Sequence, residues 1–67
     1  MKKEYFTVSI YLREGQDYEI SEKRFDDERS AREWAREEVR FLKVIGADVL
    51  NVTIERTTRV VVPLEDL

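Results

Sequence analysis

The chain has 67 residues, no cysteine and no histidine, and carries 12 basic against 15 acidic side chains for a net charge of −3. These numbers exclude disulfides, thiolate metal centres, histidine zinc sites and a histidine general base. A chain this short buries only roughly 60% of the surface its unfolded form exposes, so packing, helped by self-association, has to hold it together.

Charged residues make up 40% of the sequence, a density shared by thermophile proteins and idealised designs. The balance is too negative for a typical nucleic-acid binder and too mild for a nucleic-acid mimic. After Met1-Lys2-Lys3-Glu4 the apolar run is broken by Thr7, Ser9 and Arg13, which leaves neither a signal-peptide core nor a span of about 20 apolar residues. The expectation is one linker-free domain over residues 1–67, soluble and cytoplasmic, with no membrane attachment, no metal and no cofactor.

From Tyr5 to Arg13 the residues alternate, with Phe6, Val8, Ile10 and Leu12 on one face and Tyr5, Thr7, Ser9 and Tyr11 on the other, as in a half-buried strand. Glu14-Gly15-Gln16-Asp17 supplies a hairpin turn, and Tyr18 and Ile20 open a second strand that ends or bulges at Phe25. Asp27 is the expected helix N-cap. Good helix formers run from Glu28 to about Ile45, and Gly46 stands where a left-handed C-cap belongs.

On a wheel of 100° per residue, Ala31, Trp34, Ala35, Val39, Phe41, Leu42 and Ile45 form an apolar arc, and Val44 points elsewhere. Beyond Gly46, Leu50, Val52 and Ile54 face one way, and Val60-Val61-Val62 forms a second apolar cluster. A single strand from Leu50 to Val62 would run about 43 Å, past the reach of the first hairpin, which favours a turn near Thr57 and Thr58. The predicted fold is therefore α+β, ββαββ, one helix on one face of a four-stranded, largely antiparallel sheet. The alternative is ββαβ, whose long last strand projects and pairs with another chain in a dimer. The element order resembles that of many small phage and archaeal proteins and of designed ββαββ domains, with no shared residue motif.

Three features carry the functional reading. Glu38 falls inside the apolar arc. A carboxyl held in apolar surroundings can serve as a general acid or base, but no second catalytic group stands at a fixed spacing from it, so a structural or partner-facing role is expected and an enzyme is not. Arg29, Arg32, Arg36, Arg40 and Lys43 form a stripe about 21 Å long opposite the core. It suits an anionic partner, unless Glu28 with Arg32, Glu33 with Arg36 and Glu37 with Arg40 pair and blunt it. Tyr5 and Tyr11, with Thr7, Ser9, Glu19, Ser21, Thr53 and Glu55, are expected on the sheet face away from the helix.

Together these features favour a non-catalytic interaction module that binds a protein through the outer helix face or the open sheet face, with a homodimer allowed. A nucleic-acid-binding accessory protein using the arginine stripe comes second, and a stable scaffold without an evolved partner third.

Overall fold

The computed structural model describes residues 2–64. The hairpin forms where the glycine allows it. Strand β1 (Lys2–Glu14) and strand β2 (Asp17–Phe25) are joined by the two residues Gly15-Gln16, with Glu14 opposite Asp17. Gly15 has φ +60° and Gln16 has a negative φ, the pattern of a type II′ turn, whose twist matches that of the strands. Asp27 caps helix α1 (Glu28–Val44), its carboxylate accepting a hydrogen bond from the Ser30 amide at 2.9 Å. At the other end Gly46, at φ +81°, turns the chain into strand β3 (Asp48–Val60).

The sheet has three strands in the order β2-β1-β3, with β1 antiparallel to both neighbours. The expected fourth strand is not seen among the described residues, and the β-β-α-β alternative fits. No turn interrupts residues 56–59. None is needed, because β1 is itself 13 residues long, so β3, also of 13, has a partner along its whole length. A strand is as long as its neighbour can satisfy its backbone groups. Of the second apolar cluster, Val60 stays in β3 on the same row as Ile54, while Val61 and Val62 lie just beyond the strand.

The core is small. Phe6, Val8 and Ile10 of β1 are buried against Ala31 and Ala35 of α1, with Leu12, Phe25, Trp34, Val39, Leu42, Val49 and Val52 partly buried around them. Phe41 and Ile45, expected within the covered arc, remain exposed, Phe41 because it stands at the extreme edge of that arc and Ile45 because it is the C-cap residue beyond the last helical turn. The two alanines let the helix approach β1 closely.

Register decides which side chains join the core. The two-residue loop sets Leu12 opposite Glu19, Ile10 opposite Ser21, Val8 opposite Lys23 and Phe6 opposite Phe25. Residues directly opposite share a face, so Glu19 and Ser21 lie on the helix side, not on the outer face as the alternation suggested. Tyr18 and Ile20 take the outer face, 67% and 54% exposed. In β3 a bulge between the partners of Tyr11 and Leu12 leaves Leu50 as the extra residue, and Val49 takes the core-side place expected of Leu50.

The molecule is elongated, 55 × 26 × 14 Å with a radius of gyration of 16.1 Å, against about 11 Å for a compact chain of this length. The cause is the unequal length of the elements. Pairing with β2 begins at Phe6, so residues 2–5 pair only with residues 57–60, and this two-stranded arm extends past both β2 and the helix.

Candidate functional site: the open sheet face and the basic helix flank

All three tyrosines lie on the sheet face away from the helix. Tyr5 and Tyr11 stand on the same row of β1, and Tyr18 joins them from β2 opposite Arg13. The antiparallel register also brings cations to these rings. The Arg24 guanidinium carbon lies 4.5 Å and that of Arg59 5.5 Å from the Tyr5 ring centroid. Arg13 lies 5.7 Å from the Tyr18 centroid and donates from Nη2 to the Tyr18 hydroxyl at 3.4 Å. Cation–π contacts of this kind hold long side chains flat on the sheet.

A polar concavity of about 440 Å³ on this face is lined by Tyr5, Thr7, Ser9, Glu22, Lys23, Arg24, Glu55 and Thr57. Beside it, Ile20 faces the same way as Tyr11, directly opposite it. The face therefore has an apolar and aromatic half at the hairpin end and a basic half around Tyr5. In the basic half Lys3 stands opposite Arg59, and like charges in opposing positions destabilise a pair of strands.

The helix stripe is less open than its spacing suggests. Arg29 Nε donates to Glu33 Oε1 at 3.3 Å, Arg32 Nη2 donates to Glu28 Oε1 at 3.4 Å, and Arg40 and Glu37 pair at 3.7 Å. Glu33 thus pairs with Arg29 and not with Arg36, and Arg36 and Lys43 form no ion pair among the described residues. These exposed pairs add little stability but reduce the outward positive field. Part of the stripe also faces sideways. Arg36, Arg40 and Lys43 form the rim of a groove of about 440 Å³ between α1 and the free edge of β3, floored by Ala35, Val39 and Val52.

Glu38 is half-buried on the flank of the helix shared with Trp34 and Phe41, and it makes no hydrogen bond or ion pair among the described residues. Among the described residues no three acidic side chains are grouped to hold a metal ion, and no helix is long and apolar enough to cross a membrane.

The alternation placed Tyr5 and Tyr11 on this outer face and did not place Tyr18, Ile20, Arg24 and Arg59 there. The available signal was Gly15 at the first position of a two-residue loop, which sets the register of β2 and with it the facing of every residue in that strand. Neither family models, curated proteins nor solved structures yield a match to this chain.

Proposed function

We propose that this chain is a non-catalytic interaction module that docks a protein partner on its open sheet face. The observation that carries the reading is the gathering of Tyr5, Tyr11, Tyr18 and Ile20 with Arg13, Arg24 and Arg59 on one uncovered surface. Tyrosine and arginine are the residues that dominate binding energy at protein interfaces. Rings already stacked by arginine lose little further freedom on docking. A cytoplasmic setting suits a cysteine-free chain and belongs to the same proposal.

The test is affinity capture from the source cells with the wild type and with a Y11S/Y18S/I20S variant, followed by reconstitution with the purified candidate. A partner that binds the wild type and loses at least about tenfold in affinity to the variant supports the reading. A partner held equally by both overturns it.

One arrangement favours nucleic acid as the second reading. Lys3, Arg24 and Arg59 surround Tyr5 on a sheet of the kind on which aromatic side chains stack bases. Glu22 and Glu55 border the same concavity and oppose a phosphate backbone. Binding of labelled single strands and duplexes at two salt concentrations separates the readings, because phosphate contacts make affinity fall steeply with salt. An R24Q/R59Q variant tests the sheet cluster, and an R32Q/R36Q/R40Q variant tests the helix stripe.

A further inference from the structure

We propose that β3 pairs antiparallel with β3 of a second copy of this chain across a two-fold axis at Thr57, which makes the functional unit a dimer with a continuous six-stranded sheet. The dimer is held through the backbone edge of β3, and because Glu55 and Arg59 also belong to the open face it is tested by oligomeric state and not by what docks there.

The edge is long. β3 presents 13 residues whose outer backbone groups have no strand beside them among the described residues, and such an edge is a template for pairing. Its helix-side row carries Val52, Ile54, Arg56, Thr58 and Val60, and the same parity continues to Val62, which is 81% exposed. The other free edge, β2, places Glu19 and Lys23 on its helix-side row. Inward-pointing charges are how natural sheets discourage pairing, and the β3 row carries one, Arg56, where β2 carries these two.

Self-complementarity selects the register. A two-fold axis normal to the sheet keeps both helices on one face and sets residue i opposite residue j of the second copy, and j opposite i. With Thr57 on the axis, Val60 meets Ile54, Val62 meets Val52, Arg56 meets the neutral Thr58 and Arg59 meets Glu55, each pair twice. Apolar residues match on the helix side and opposite charges match on the outer side. A step of two residues one way sets Arg56 against its own copy. A step the other way sets Val60 against Arg56. Only the central register satisfies both faces.

The elongated outline fits the same arrangement. In that register the arm that projects beyond β2 and the helix lies beside the second copy's edge, and the groove floored by Ala35, Val39 and Val52 borders the same edge. The groove's rim is Arg36, Arg40 and Lys43. Two short cores of five buried residues each then share one larger apolar layer.

The experiment is sedimentation equilibrium over a wide concentration range on the wild type, the single variants E55R and R59E, and the double variant E55R/R59E. The wild type is expected to dimerise. Each single variant sets like charges opposite each other at two symmetric places and should weaken the dimer by about tenfold, and the double variant should restore it. The chain has no cysteine, so T57C offers a second, register-specific probe. Opposing residues of an antiparallel pair lie within disulfide range, and T57C should form a covalent dimer with glutathione disulfide while S21C, at the middle of β2, does not. A wild type that remains monomeric throughout, single variants that dimerise as well as the wild type, or cross-linking through S21C in place of T57C would each overturn the proposal.

Discussion

Phe25 and Trp34 meet with ring centroids 5.6 Å apart and planes tilted by 45°, which ties the last residue of β2 to the second turn of α1. Lys23 Nζ closes over both rings, 5.5 Å from the Phe25 centroid and 5.3 Å from that of Trp34. Contact between the helix and β2 is otherwise sparse, so this cluster sets the angle at which the helix leaves the sheet. Trp34→Ala should cost about 2–3 kcal/mol in urea unfolding, less than full burial would give because the ring is only half-buried. A double-mutant cycle with Phe25→Ala should return a coupling of about 0.5–1.5 kcal/mol.

Asp27 links helix stability to acid. The Ser30 amide donates to its carboxylate and holds its pKa below the ordinary 3.8. A lowered folded-state pKa means that the cap's contribution is fully present above the ordinary value and is lost as pH falls through the folded one. Asp27→Asn keeps the acceptor without the titration. Between about pH 5 and pH 2 the thermal midpoint of the wild type should therefore fall by more than that of D27N. Parallel curves would show that the cap's charge contributes nothing.

Glu38 is half-buried with no partner among the described residues, beside the apolar side chains of Trp34 and Phe41. Glu38→Leu should raise unfolding stability by about 0.5–1 kcal/mol through added apolar burial, and Glu38→Gln should leave it close to the wild type. Urea midpoints for the three proteins check this. A loss of stability in both variants would show that the carboxylate is engaged in solution.

A methyl group on Gly15 would meet nothing within 4 Å, yet the residue sits at φ +60°. Gly15→Ala should therefore cost about 1 kcal/mol from backbone conformation alone, with no steric clash. Asparagine tolerates positive φ better than alanine, so Gly15→Asn should recover part of the loss. Equal stability of all three would overturn the type II′ assignment.

The elements that could be read along the chain are those whose cause is local. The alternation of Phe6, Val8, Ile10 and Leu12, the Asp27 cap, the helix from Glu28 and the positive φ of Gly15 and Gly46 each depend on neighbours a few residues away. The arginine stripe and the facing of Tyr5 and Tyr11 were legible for the same reason, since both follow from the period of one element. Tertiary structure decided what depends on pairing. A one-residue change in hairpin register moves a whole strand to the other face, which is how Ile20 and Tyr18 came to lie outside and Ser21 inside. The bulge at Leu50 exchanged it for Val49. The uninterrupted run of β3 through Thr57 and Thr58 was settled by the length of β1 beside it, because extended backbone persists for as long as a neighbouring strand can take up its hydrogen bonds.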